Sequence, residues 1–280
     1  SQIAPDGQEC LDGTRFLDWP SNSNKDAIAA GLQALMVWGM RVGVEFAELF
    51  EDRQLSNDCK AAEKKLVKAA SKVYKKFLAS CPAPDAPGSK QVAALMTITG
   101  LIDAPKADKE FLSINGAQGF STFYGYYMLE AMATAGNYQG ALDVIREYWG
   151  AMIDLGATSF WEDFDINWIP NATPIDELVP EGKKDIHGDC GAYCYVGFRH
   201  SLCHGWASGP TSWLSRHILG VEVIEPGCRQ VRITPHLGDL QWVKGTFPTP
   251  YGEIQIYHEK QANGNVISEV KAPKGVSVIK

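Results

Sequence analysis

The feature that most constrains this 280-residue chain is an alternation of two kinds of helical segment over its first three quarters. Residues 25–49 (KDAIAAGLQALMVWGMRVGVEFAEL) are apolar or small nearly all round, the pattern of a helix buried on every side. Residues 57–79 differ. There Ala62, Leu66, Ala69, Ala70, Val73 and Phe77 form one stripe at helical spacing, while Lys64, Lys65, Lys68, Lys72, Lys75 and Lys76 fill the remaining surface. After the breaker CPAPDAPGS, residues 90–102 are again apolar all round, and residues 119–135 are apolar and rich in aromatics. Residues 139–154 return to the amphipathic pattern, with Leu142, Ile145, Trp149 and Met152 opposite Asp143, Arg146 and Glu147. A last, mostly apolar segment runs over about 203–219, with Pro210 marking its first turn or a kink. Some six helices of alternating character predict two concentric layers, an inner and an outer ring of α-hairpins.

From Gly220 onward the period changes to two. RQVRITP, LQWVKGTF, EIQIYHEK, VISEVKAP and VSVIK alternate apolar and polar residues between Gly, Pro and Asn turns, and Asn263-Gly264 is a strong hairpin signal. The expected organisation is a helical domain over 1–219 and a small antiparallel β-domain over 220–280.

Composition removes several functions. The hydrophobic fraction of 45% supports a real core, which argues against disorder. The net charge is −7, and the lysines of 60–76 read as the wet side of one helix, so a nucleic-acid partner is not expected. No run of about 18 apolar residues is read, so no membrane span is expected. Seven scattered cysteines (Cys10, Cys59, Cys81, Cys190, Cys194, Cys203, Cys228) point to free thiols rather than a disulfide framework. The chain begins SQIAPDGQEC, without an initiator Met or a signal-peptide pattern, which leaves the compartment open.

Two concentric layers have a functional consequence. Inner helices run parallel, so the loops leading into them gather at one end: residues 10–24, 113–120 and 156–202. Asp18, Trp19, Phe120, Trp161 and Glu162 are therefore expected around one mouth, with His204 close behind. A carboxylate beside aromatics at such a mouth suits glycoside hydrolysis, which needs two carboxyl groups across the scissile bond. The plainer alternative for Glu162 is an exposed loop acid or a cap. Trp19 and Trp161 suit sugar recognition, since an indole packs against the C–H faces of a pyranose, although any one of eight tryptophans is more ordinarily core. Asp18 could bond sugar hydroxyls or cap the following helix, a task for which Ser21 and Asn24 compete. A lone histidine such as His204 is more often a hydrogen-bonded core residue than a catalyst.

Other chemistries are weakly supported. The set His187, Cys190, Cys194, Cys203 and His204 fits none of the common zinc spacings, so no metal is expected. SINGAQG lacks the preceding strand that a nucleotide loop needs, and no nucleophile elbow or metalloprotease motif occurs; no cofactor is expected. Asn171-Ala172-Thr173 matches a glycosylation sequon, but Pro174 follows and such matches are common.

Four stretches carry a family likeness: FLDWPS running into AGLQALMVWGMRVGVEFAEL; GFSTFYGYYMLEAMATAGNYQGALDVIREYWGAMIDLGATSFWEDF; SLCHGWASGPTSWLSRHILGV; and EPGCRQVRITPHLGDLQWVKGTFPTPYGEIQIYHEK. Together they resemble the C-terminal half of bacterial α-L-rhamnosidases of glycoside hydrolase family 78. The resemblance implies a mainly α chain, a partial (α/α)6 toroid followed by a small antiparallel β-sandwich domain. It further implies an inverting hydrolase of terminal α-L-rhamnosides, with Glu162 as general base, His204 against the sugar and Trp19 walling the rhamnose pocket. The family's Asn before that histidine is Cys203 here, and the long insert 165–200 is a second departure. In the family the general acid precedes the DWP segment, so the resemblance implies that the acid, and about half of the ring, belong to an N-terminal portion of the same enzyme. A periplasmic or extracellular location is what the family suggests. Rival readings are a non-catalytic carbohydrate-binding or scaffolding piece and a different (α/α)6 glycosidase.

Overall fold

The computed structural model describes residues 3–10, 15–81, 83, 84 and 86–279. Residues 11–14 of the loop read over 10–24, Pro82 and Asp85 of the breaker, and the extreme ends of both expected domains lie outside the described residues.

The alternation appears as packing. Helix α1 (Lys25–Leu49) lies against α2 (Arg53–Ser80) and α3 (Ser89–Ile98); α3 lies against α5 (Gly125–Thr134), and α5 against α6 (Tyr138–Asp154) and α7 (Gly209–Trp213). The inner layer is thus α1, α3, α5 and α7, and α2 and α6 form the outer layer with a short α4 (Ala104–Ala107). On α2 the buried residues Leu66, Ala69, Ala70, Val73 and Phe77 are the stripe read from the sequence, and the lysines between them face out. Asn24 caps α1 through the backbone N–H groups of Asp26 and Ala27, and Asp52 caps α2 through that of Leu55.

Several details differ from expectation. The helix read over 90–102 ends at Ile98, and the one read over 119–135 starts at Gly125. The α4 element, continued by one wide turn over Asp108–Leu112, was not read, because four residues of APKA are too short to show a period. Of the segment 203–219, only Gly209–Trp213 is α-helix, followed by a wide turn over Leu214–Ile218; Pro210 sits in the first turn, where its missing N–H costs nothing.

Helix α1 is not buried on every side. It packs mainly on α2 and α3, and Phe46, Leu49 and Phe50 at its C-terminal end are 57%, 73% and 75% exposed. It is also long and apolar enough to cross a membrane by length and composition, which corrects the reading that no such segment exists. Its packing against α2 and α3 buries Ala27, Ile28, Ala30, Leu32, Ala34 and Val37, as in a core helix.

The C-terminal strands form two three-stranded sheets. One has the order β3 (Val221–Val223), β4 (Gln230–Ile233), β8 (Ser277–Ile279); the other runs β5 (Trp242–Thr249), β6 (Gly252–Lys260), β7 (Val266–Lys271) in antiparallel register. A minimal parallel pair, β1 (Ala172–Thr173) and β2 (Lys184–Asp185), lies in the insert before α7. Leu219, Val221, Val231, Ile233, Ile254 and Ile256 fill the space between the two larger sheets. Asn263-Gly264 forms the β6–β7 turn, with Gly264 at φ +84°. The one departure from an all-antiparallel domain is β8, which pairs parallel to β4.

Phe77 is fully buried on the core face of α2, so Phe77→Ala is expected to cost about 3–5 kcal/mol in urea unfolding. Val67→Ala, on the wet face of the same helix, is expected to change stability by no more than about 0.5 kcal/mol. Equal effects would contradict the two-layer assignment of α2.

Candidate functional site

The inner helices present their N-termini to one end of the layer, and the segments preceding them line a cavity of about 270 Å³. Residues 16–20 come from the lead-in to α1, 117–123 from the lead-in to α5, and 162–167, 192, 193, 195 and Trp206 from the long lead-in to α7. The structure thereby brings together Asp18, Trp19, Phe120 and Glu162 on one cavity wall.

Glu162 is held by its main chain. Its carbonyl accepts from Thr122 Oγ1 at 2.6 Å and from Trp206 Nε1 at 2.9 Å, and its N–H donates to the Ser201 carbonyl at 2.9 Å. Its side chain is 11% exposed; Oε2 accepts from the Ser201 N–H at 2.9 Å, and Oε1 lies 3.6 Å from His204 Nδ1. His204 is not on the cavity lining. Its ring tilts against Trp206 at 4.5 Å, and its main-chain N–H donates to the Phe160 carbonyl.

Asp18 lines the cavity, but both its oxygens are engaged. Oδ1 accepts from the Trp19 N–H at 3.0 Å, capping the short turn Trp19–Ser21, and Oδ2 accepts from Gln91 Nε2 at 3.0 Å and Ser121 Oγ at 2.8 Å. Asn24, not Asp18, caps α1, which settles the competition left open by the sequence. Burial raises the Asp18 pKa, and the three hydrogen bonds oppose that rise. Phe120 is packed beneath Lys90, whose ammonium lies 5.0 Å from the ring centre and donates to the Gly116 carbonyl at 2.6 Å. The glycines of SINGAQG serve this loop, since Gly116 and Gly119 take positive φ.

Trp161 requires a correction. It is fully buried, packs edge-on against Phe164 and does not line the cavity, so its indole offers no face to a ligand. The side chain turns inward because the adjacent Glu162 peptide is fixed with its own side chain toward the cavity. The aromatic partner for the site comes instead from Trp206, Tyr193 and Tyr195, which were not read. Rings contact one another in an arc from Phe16 to Trp19, on to Tyr195, then Trp206, then Phe123. Trp19 donates its indole N–H to the Tyr195 hydroxyl at 2.8 Å and stacks on Tyr193 at 5.5 Å and 20°. The signal available in the sequence was the repeat of tyrosines in GAYCYV, an aromatic pair beside a glycine within an otherwise polar insert.

Three further polar residues were missed: Asp163, Asp165 and Asn167 all line the cavity. Asp163 Oδ2 accepts from the Ala192 N–H at 3.2 Å, and the Asp163 N–H donates to His200 Nε2 at 3.2 Å. Burial is the main cause that pushes the Asp163 pKa up to about 6, with the charges of Asp165 and Asp18 adding to it. Asn167 exchanges hydrogen bonds with Gln118 at 3.0 and 3.1 Å, linking the insert to the loop before α5. Among the described residues, no group of three or more His, Cys, Asp or Glu is placed to hold a metal ion, and Cys59, Cys81, Cys190, Cys194, Cys203 and Cys228 are free thiols.

Residues 220–279 match the family model of the bacterial alpha-L-rhamnosidase C-terminal domain. Among solved structures, a GH78 family rhamnosidase of Bacillus sp. GL1 superposes over 99% of this chain and 28% of its own, with a TM-score of 0.69 and 21% identity. An alpha-L-rhamnosidase from Streptomyces avermitilis, solved in complex with L-rhamnose, covers 98% of this chain and 25% of its own, with a TM-score of 0.65 and 18% identity. One from Aspergillus terreus covers 91% and 28%, with a TM-score of 0.65 and 17% identity. No curated protein sequence matches the chain. The chain thus spans little more than a quarter of the solved structures that share its fold. The likeness to family 78 rhamnosidases read from the sequence is borne out, in the β-region by sequence and over nearly the whole chain by fold.

The Asp163 carboxyl supplies a pH signature. Its folded pKa of about 6 exceeds the ordinary aspartate value of 3.8, so its contribution to stability is fully present below about pH 4 and is lost as pH rises through about 6. The size of that contribution is up to ~3 kcal/mol. Asp163→Asn keeps an oxygen that can accept from Ala192 and removes the titration. Its stability profile is expected to lose that downward slope between pH 4 and 6; profiles of the same shape for both proteins would contradict the assignment.

Proposed function

We propose that this chain is the C-terminal part of a glycoside hydrolase that releases terminal α-L-rhamnose with inversion of configuration. Residues 1–219 would contribute half of the catalytic ring and residues 220–280 the β-domain that follows it. The observation that carries the reading is Glu162, whose peptide is fixed by three hydrogen bonds and whose carboxylate, held by the Ser201 N–H, lines a cavity walled by an aromatic arc.

The chemistry follows from that geometry. Inversion needs a carboxylate that deprotonates a water on the face of the sugar opposite the leaving group. The Ser201 N–H occupies Oε2 of Glu162, which leaves Oε1 to hold the water. The Ser201 bond and the burial of the side chain restrain the carboxylate, so less orientational freedom remains to be lost at the transition state. As the water attacks the anomeric carbon, its proton passes to Oε1. His204, 3.6 Å from the same oxygen, is positioned to bond a sugar hydroxyl or the water. The Trp19 face packs against the C–H side of the ring, and Gln118, Asp165 and Asn167 offer partners to its hydroxyls.

The cavity volume of about 270 Å³ lies just below the usual range of ligand sites, which suits one terminal sugar ring rather than a bound chain. The proton for the leaving oxygen would come from an acid in an N-terminal portion of the same enzyme, in keeping with the share of the solved rhamnosidases that this chain covers. The exposed apolar end of α1, with Phe46, Leu49 and Phe50, supports further helices beside it.

In the full-length enzyme, Glu162→Gln is expected to lower turnover of an aryl α-L-rhamnoside by about 10²-fold or more while binding is kept. Unchanged turnover would leave a binding or scaffolding role as the better reading, and faster turnover of another aryl glycoside by the native enzyme would reassign the substrate. The 280-residue chain alone is expected to show no turnover, and measurable hydrolysis by the pure chain would contradict an acid supplied from elsewhere.

A further inference from the structure

The insert before α7 contributes a tight turn to the cavity wall through Ala192, Tyr193 and Tyr195. Gly191 takes φ +132°, and a Cβ there would stand 2.0 Å from the Tyr195 carbonyl oxygen, so only glycine fits. Tyr195 donates its N–H to the Ala192 carbonyl at 2.9 Å, closing the turn. Between them Tyr193 adopts φ +58°, a left-handed conformation that an aromatic side chain rarely takes. Strain of this kind persists where surrounding contacts over-determine it, and it concentrates at ligand sites.

The contacts that impose it all belong to the cavity. Ala192 N–H binds the Asp163 carboxylate, the Tyr195 hydroxyl accepts from Trp19 Nε1, and the Tyr193 ring lies nearly parallel to the Trp19 indole. Tyr193 nonetheless remains 51% exposed, so part of its ring is open beyond Trp19 at the cavity rim.

We infer that the turn 191–195 is a selectivity element: Tyr193 presents a stacking face for a flat ring carried on the leaving group, and Tyr195 is the positioning residue that holds Trp19 in register with it. The inference rests on the cavity being a glycoside site with the anomeric carbon at Glu162. A ring seated there directs its leaving group outward, where Tyr193, more exposed than the other aromatics of the lining, Phe16, Phe123 and Trp206, offers its face. Tyr193 stacks on an aromatic aglycone or on the apolar face of a second sugar, and has nothing to offer an alkyl glycoside.

The test uses the full-length protein carrying Glu162→Gln, so that ligands bind without turnover, and reads affinity by calorimetry. Adding Tyr193→Ala is expected to weaken binding of p-nitrophenyl α-L-rhamnoside about 5- to 10-fold, the size of one aromatic stacking contact. Binding of methyl α-L-rhamnoside should stay within about twofold, since that glycoside makes no stacking contact at the rim. A rhamnosyl disaccharide distinguishes the two sources of a flat ring: loss on the aryl glycoside alone assigns the face to aromatic aglycones, and loss on both assigns it to either. Tyr195→Phe, which removes only the hydroxyl, should move the Trp19 indole N–H proton resonance upfield and weaken methyl and aryl glycosides alike. Equal loss, or none, on both glycosides with Tyr193→Ala overturns the inference while leaving the glycoside site standing. Failure of the Glu162→Gln protein to bind any rhamnoside overturns that reading and the inference together.

Discussion

Everything at the cavity depends on one peptide carbonyl. The oxygen of Glu162 takes hydrogen bonds from Thr122, in the lead-in to α5, and from Trp206, in the lead-in to α7, while Ser201 takes the N–H of the same residue. Segments more than 35 residues apart in sequence are thereby tied at a single point. The layered helices make this possible, because parallel inner helices deliver their preceding loops to the same end. The hydrogen bonds then convert proximity into a fixed direction for the Glu162 side chain. Each such bond adds only about 1 kcal/mol to stability, but an unpaired buried carbonyl would cost more than that.

The concentration of acids around that point is the second constraint. Asp18, Glu162, Asp163 and Asp165 line one cavity with no lysine or arginine among the described residues of its wall. Burial of like charges is unfavourable. The structure offsets it with donors from four directions: Gln91 and Ser121 on Asp18, Ala192 on Asp163, and Ser201 on Glu162. Burial outweighs those bonds at Asp163, whose carboxyl keeps its proton to higher pH. Such an arrangement is hard to account for as core packing, which prefers apolar residues, and is suited to holding a polar, uncharged ligand.

The sequence was legible where period and burial coincide. The stripe Leu66, Ala69, Ala70, Val73 and Phe77 marked α2, and period-two runs marked β5, β6 and β7. Asp18, Trp19, Phe120 and Glu162 could be placed at one mouth because the layer rule fixes where loops go, even when their conformations are unknown. Side-chain direction was not legible. Trp161 and Glu162 are neighbours, and only the hydrogen bonds of the intervening backbone decide that the acid faces the cavity and the indole faces the core. Tyr193 and Tyr195 escaped notice for a similar reason: they lie in an irregular insert, where no period reports on burial. The apolar length of α1 was misjudged because nearly continuous apolar character reads the same for a core helix and for one with an open side.

The central claim is that Glu162 faces the anomeric carbon of a rhamnose ring. A crystal structure of the full-length protein with L-rhamnose tests it most directly. The account predicts one sugar ring in the cavity, its C–H face on Trp19 and its anomeric hydroxyl within about 3 Å of the Glu162 carboxylate. A sugar bound elsewhere, or seated in the cavity with its anomeric carbon turned away from Glu162, would contradict it.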